Sequence, residues 1–485
     1  MRRLGYLLLA LLLTLVTAGP ARPVAPVAPA RPPAGGSSSR AASDSLADRI
    51  EALLLDTVAT PGHRLLQWHD LRGTRDFYQR RAGAPAWCEA SRLNAQGQAA
   101  VALLLGAEDY GLQPVNYHGP ALQALASALN SPVPAARRAA LQARLEVLLT
   151  DGLLRFARHL RRGQLREFTP SPLEAADSAF VPAAWLARAL AAPDFVPVLL
   201  RCQPAHREYR QLQQALAHWR RQPWGRDSAR IRRAQQLALT LERWRWQPIA
   251  DTGYVLVNLP AYTLEVVHRD SVLQTHRLVI GKPESPTPTF SSRLRVFTLA
   301  PEWRVPYSIA TEEILPRLRH SPRYAARHRF LIYDAQGQPV DATAVDWWDV
   351  NKKRFRYTIR QRSGPGNALG SVIFRFPNPY QVYLHATYDA HDFKRPYRAL
   401  GHGCIRMEHP LQLAAYLLRD ADSLRATLPT EAALAAAPVP RRITAPRAMP
   451  LHVRYATCAV VAGRLRFYPD VYQQDEALRR QLFGR

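Results

Sequence analysis

The 485-residue sequence predicts a multidomain chain: an all-α domain, then a mostly β domain into which a further subdomain is inserted. Three observations lead there. From about Ser45 to Arg220 apolar residues recur at three- and four-residue spacing, as in Ala47, Ile50, Leu53 and Leu54 or Leu141, Leu145, Leu148 and Leu149, the period of an amphipathic helix. Beyond Thr252 the period falls to two, the mark of strands. Between the strands, about 303–360, lies a polar stretch that carries Trp347-Trp348 without a long core pattern, which reads as an insertion or a lid.

In chain order, Met1-Arg2-Arg3, the apolar run Leu4 to Val16 and small residues with Val16 and Ala18 in the cleavage pattern predict a signal peptide over 1–18. The alternative is an uncleaved membrane tether, although the run is short for a bilayer. The mature chain is therefore expected outside the cytoplasm, in the periplasm or cell envelope. Residues 19–44 are a Pro/Ala-rich linker with too little apolar bulk for a core. The helical domain covers 45–228, punctuated at Pro61-Gly62, Gly83 to Pro85 and Pro132 to Pro134. Its aromatics Phe77, Tyr78 and Trp87 read as core in preference to a ligand platform. A connecting helix, 229–248, runs from Ala229 to Arg245 with Ser228 as its cap, and Pro248 stops it. Trp244 and Trp246 are too close in sequence to share a face and are expected at an interdomain seam.

The β domain is assigned to 249–430, with strands at Tyr254 to Leu259, Thr263 to His268, Gln274 to Ile280, Arg293 to Leu299, Val372 to Phe376 and Gln381 to His385. Residues 431–485 are a C-terminal extension expected to return and pack on it. The net charge of +27 is scattered without a dense block, so it fits an acidic polymer or a plain arginine bias, and no motif points to nucleic acid. Four cysteines, Cys88, Cys202, Cys404 and Cys458, form no CxxC pair, which argues against a structural zinc site.

The chemistry gathers at Gly401-His402-Gly403-Cys404-Ile405-Arg406 together with His385. A cysteine works as a nucleophile at neutral pH when an imidazole takes its proton. Strand alternation sends Val382 and Leu384 to one face, and Tyr383 and His385 to the opposite face, expected to be accessible. Cys404 falls in a glycine-flanked turn before a helix that starts at Pro410, with the N–H groups of Gly403 and Cys404 available to an oxyanion. His385 and His402 both remain candidates for the base, and a zinc set from His385, His402, His409 and Cys404 is the metal alternative.

Val382-Tyr383-Leu384-His385, fifteen intervening residues and then Gly401 to Arg406 resemble the signature of L,D-transpeptidases of the YkuD type. Leu241 to Pro248, Pro301 to Ile309, Gly364 to Gly370 and Phe376 to Tyr380 extend the resemblance to the large, YcbB-like branch of that family. It implies a scaffold domain before a YkuD-like β-sandwich with an inserted capping subdomain. It also implies Cys404 as nucleophile, His385 as base oriented by the Ala386 carbonyl, and His402 and Gly403 lining the oxyanion site through their backbones. Tyr383, Gly401 and Arg406 would contact substrate or support the residues that do. For Arg406 the choice lies between a donor carboxylate and a salt bridge that holds the turn. Gly401 stands where the family usually has Ser or Thr, and no peptidoglycan-binding module is evident. The implied reaction cross-links peptidoglycan stems through a cysteine thioester, releasing terminal D-alanine from a tetrapeptide donor to an amine acceptor without metal or cofactor. A peptidoglycan hydrolase using the same pair and a non-catalytic wall-binding scaffold are the alternatives.

Overall fold

The computed structural model describes residues 45–56, 66–165, 180–223 and 227–484. The expected signal peptide, the linker and the turn at Pro61-Gly62 lie outside the described residues.

The helical part is built around α1 (Ala135–Arg162), which is buried on all sides from Leu145 to Leu154 and so runs through the domain core. Its buried Glu146 shows how the surrounding loop is held. The carboxylate accepts from the backbone N–H of Ala86, Trp87 and Cys88 at 2.9, 2.8 and 2.7 Å and from the Tyr78 hydroxyl at 2.7 Å, which offsets the cost of burying a charge. Phe77, Tyr78 and Trp87 are buried core residues, as expected of aromatics in a helical domain.

Two helices carry the chain onto the β domain, α2 (Arg207–Arg220) and α3 (Ser228–Trp246). Asp227, not Ser228, caps α3, accepting from Ala229 N and Arg230 N; Ser228 is already the first helical residue. Trp244 packs with Tyr209, Leu212 and Leu241 against Tyr254, Leu256 and Cys458, a core shared between the helices and the β domain. Trp246 turns away, toward Leu478 and Leu482. Among the described residues no helix is long and apolar enough to cross a membrane.

The β domain comprises β1 (Gly253–Asn258), β2 (Thr263–His268), β3 (Ser271–Gly281), β4 (Phe290–Leu299), β5 (Val372–Arg375), β6 (Leu384–His385), β7 (Ala399–Gly401), β8 (Ile405–Met407) and β9 (Arg441–Arg454). Their order is β7-β3-β8-β6-β5-β4-β9-β1-β2, and β2 also pairs with β3, so the sheet closes on itself as a barrel. Closure removes the free edges that an open sandwich would leave. The C-terminal extension returns as more than a cover: β9 enters the sheet between β4 and β1. A boundary at 430 therefore cuts through the barrel.

The insertion also differs from a coreless lid. Strands at Trp303–Arg304, Phe330–Tyr333, Pro339–Val340 and Thr358–Gln361 form a separate sheet, and Val305, Ile314, Leu318, Ile332, Ile359 and the fully buried Trp347 make its own core. Arg304 pairs with Arg360, so the insertion enters and leaves through neighbouring strands and forms a cap subdomain.

Candidate active site

β6 runs parallel to β8, with Leu384 opposite Ile405 and His385 opposite Arg406. Leu384 and Ile405 are buried in the barrel core. Alternation then puts His385 and Arg406 on the other face, with Cys404 one step before β8 on that same face. The Ile405 N–H donates to Tyr383 O at 2.9 Å, which fixes the Cys404 turn against β6. The strand itself is shorter than expected, because only Leu384–His385 are paired.

His385 lies on the predicted face, but that face is closed: the residue is 6% exposed. Its Nδ1 lies 2.6 Å from Ala386 O. A carbonyl can only accept, so Nδ1 carries the proton and Nε2 presents its lone pair. Burial and the neighbouring Arg406 charge push the imidazole down to about 4, against a smaller opposing effect of the Ala386 carbonyl. His385 is thus neutral at pH 7, the form a base requires.

Cys404 is half-buried and is the sole cysteine of the four that is not buried; all four are free thiols. Burial raises its pKa, partly opposed by the Tyr383 backbone N–H and by Arg406. The resting site therefore holds a thiol and a neutral imidazole rather than a preformed ion pair. The thiol donates to Gln381 O at 3.9 Å, so that carbonyl is its hydrogen-bond partner in the resting site.

Gly403 has φ +106°, a conformation open mainly to glycine. Gly401 is not left-handed; it pairs with Gly281, and its carbonyl accepts from Lys282 N at 2.9 Å and Ser285 Oγ at 3.2 Å. His402 turns outward, where its Nε2 meets Glu313 Oε1 of the cap at 2.6 Å. Arg406 donates to the buried Asp392 Oδ2 at 3.2 Å, and Arg395 holds the other oxygen at 3.3 Å. Tyr383 lies under the Arg375 guanidinium, 5.7 Å from its ring.

No three of His385, His402, His409 and Cys404 bring ligand atoms within 4.8 Å of one another. Among the described residues the group that does so is His69, His118 and Asp151 in the helical domain. Its atoms are engaged: Asp151 accepts from Asp70 N and pairs with His118 Nε2, each at 2.7 Å, and Arg155 sits on His69 Nδ1. That is a hydrogen-bonded network filled by its own members.

Residues 252–431 match the sequence profile described as the L,D-transpeptidase catalytic domain, YkuD, and residues 72–216 match the Scaffold domain. The region similar to the Scaffold domain thus precedes the region similar to the YkuD catalytic domain along the chain. A protein of Haemophilus influenzae described as "Putative L,D-transpeptidase" is 31% identical over 247 residues, 50% of this chain and 49% of that relative, so the chain spans about half the length of the curated relative it matches. The crystal structure of Mycobacterium tuberculosis L,D-transpeptidase 1 is 16% identical, covering 43% of this chain and 63% of that one with a TM-score of 0.16.

Sequence reasoning singled out neither Asp392 nor Glu313, because each meets its partner only through the fold. Gly370 was also passed over as a site residue. At φ +62°, a Cβ there would come within 2.6 Å of the Ala386 Cβ, so this barrel needs glycine beside the carbonyl that holds His385 Nδ1.

The buried imidazole also sets an acid limit on stability. Unfolded His385 takes up a proton below about 6.5, whereas folded His385 does so only below about 4. The unfolded state binds more protons between these values, so the contribution is complete above 6.5 and is lost as pH falls toward 4, roughly 3 kcal/mol in all. Urea unfolding at pH 7.5 and pH 4.5 should show a smaller pH-dependent loss in His385→Asn than in the parent. Equal losses would contradict a buried neutral imidazole.

Proposed function

We propose that this protein is a peptidoglycan L,D-transpeptidase. The observation that carries the reading is the placement, within residues that match the YkuD catalytic-domain profile, of the one unburied cysteine and of a histidine on the same sheet face whose Nδ1 is fixed by Ala386 O. In the proposed reaction Cys404 Sγ attacks the carbonyl carbon of the third residue of a tetrapeptide stem, and His385 Nε2 takes the thiol proton. Collapse of the tetrahedral intermediate breaks the bond to the terminal D-alanine, whose amine receives that proton. An amine of a neighbouring stem then attacks the thioester, its proton passes to His385, and the thiol is restored as the new amide forms. The N–H groups of Gly403 and Cys404 serve the oxyanion. Arg406, pinned by Asp392, supports the turn and biases the imidazole toward its neutral form. The cap, joined to the nucleophile turn through Glu313 and His402, favours amine over water by limiting solvent at the thioester. Export to the periplasm or cell envelope belongs to the same proposal, since the substrate is the wall.

Mass spectrometry of the protein incubated with a purified disaccharide tetrapeptide tests this reading. An acyl adduct on Cys404, a cross-linked dimer and neither product in Cys404→Ala are expected. Shortened stems without dimer, even with added amine, would instead identify a hydrolase, and intact substrate would overturn the reading.

A further inference from the structure

The peptide between Gly403 and Cys404 is held from behind by a chain of buried hydrogen bonds that starts outside the matched catalytic domain. Thr287, 2% exposed, lies in the loop between β3 and β4. Its Oγ1 accepts from Gly281 N at 2.9 Å and donates to Gly403 O at 2.8 Å. The first bond decides the second: with a lone pair committed to the Gly281 N–H, the hydroxyl proton is free for the Gly403 carbonyl. Tyr472, from the C-terminal segment, closes the loop. Its hydroxyl donates to Gly281 O at 2.6 Å and accepts from Thr287 N at 3.1 Å. Tyr472 is itself fixed by Tyr455, whose hydroxyl accepts from Tyr472 N at 2.8 Å and whose ring stacks on it at 5.6 Å between centroids.

We propose that Thr287 and Tyr472 are positioning residues for the oxyanion site, setting the direction of the Cys404 N–H by fixing the Gly403 carbonyl on the opposite side of the same peptide. A trans peptide is planar with its C=O and N–H antiparallel, so holding the oxygen toward Thr287 turns the Cys404 N–H the other way. Among the described residues neither the Gly403 nor the Cys404 N–H has a backbone acceptor, which leaves both for a ligand. Gly403 needs such a brace, since glycine at φ +106° has no side chain to restrict its flanking peptides. Packing limits the alternatives as well. A Cβ on Gly281 would fall 2.2 Å from Ser285 O and 2.9 Å from the Gly403 Cα, so the β3 end and the nucleophile turn are in direct backbone contact.

The inference rests on the acyl-transfer reading, and the test separates the two. Alkylation of Cys404 by iodoacetamide requires the thiol and His385 but forms no oxyanion, whereas acylation by the disaccharide tetrapeptide requires all three. Thr287→Val should lower the acylation rate about 10- to 100-fold, in line with the loss of one oxyanion donor's alignment, while the alkylation rate stays within about twofold. Thr287→Ser should restore acylation, and Tyr472→Phe should lower it in the same selective way if Thr287→Val is poorly folded. Acylation unchanged in both Thr287→Val and Tyr472→Phe, or acylation and alkylation lost together in both, would overturn the positioning role. Failure of the parent protein itself to acylate would instead count against the transpeptidase reading.

Discussion

His385→Asn is expected to slow acylation of Cys404 by about 10³-fold at pH 7 and to convert a flat pH profile into a rising one. Burial raises the thiol's pKa, so at neutral pH very little thiolate exists without a base. In the parent, His385 is held down to about 4 and is fully available as an acceptor from pH 6 upward, so the acylation rate should be level between pH 6 and pH 8. Without the imidazole, solvent must deprotonate the thiol. The rate should then climb about tenfold per pH unit, recovering about 100-fold by pH 9. Stopped-time mass spectrometry of the acyl adduct across this range gives both profiles. A variant profile that is flat and parallel to the parent's would show that His385 does not take the Cys404 proton. Asn is the stringent replacement because its amide can still donate to Ala386 O, which keeps the local hydrogen bond while deleting the base.

The part of this site that was legible in the sequence is the part carried by local pattern. Alternation in Val382-Tyr383-Leu384-His385 sends Leu384 to the barrel core and His385 to the other face, and the glycines around Cys404 announce a tight turn. Whether that other face is open depends on chain packed over it from elsewhere, so the burial of His385 could not be read from period two. The cap hid its core for a similar reason. Val305, Ile314, Leu318, Ile332, Trp347 and Ile359 come from short elements that converge only after the chain doubles back, and no single run shows a period. The brace behind the Gly403–Cys404 peptide is less local still. Thr287 and Gly403 are 116 residues apart and Thr287 and Tyr472 are 185 apart, so only the closed barrel brings them together. In β9, Pro446 and Pro450 read as strand breakers. The structure accommodates Pro446 at a register shift between Thr444 and Met449 and keeps Pro450 paired with Arg293, and so a central strand looked like a tail.

That strand carries the second large effect: a chain ending at residue 431, the last residue of the catalytic-domain match, is expected to lose the barrel. β9 hydrogen-bonds β4 on one side and β1 on the other, so its removal opens the cylinder and bares both neighbours along most of their lengths. It also removes Ile443, Met449, Leu451 and Val453 from the core, each at most 5% exposed. At about 1.5–3 kcal/mol for each buried side chain the loss is on the order of 6–12 kcal/mol, as large as the net stability of a typical domain, about 5–15 kcal/mol. Tyr472 goes with it, and the seam formed by Trp244, Tyr254 and Cys458 is cut. The helical part keeps its own core around α1, so partial order should persist there. Hydrogen exchange distinguishes the two regions: amides of β1 and β4 should lose protection in the shortened chain while those of α1 retain it, and Cys404 should alkylate at the rate of an unfolded thiol. Full protection of β1 and β4 in the shortened chain would show that β9 is dispensable and that the domain closes without it.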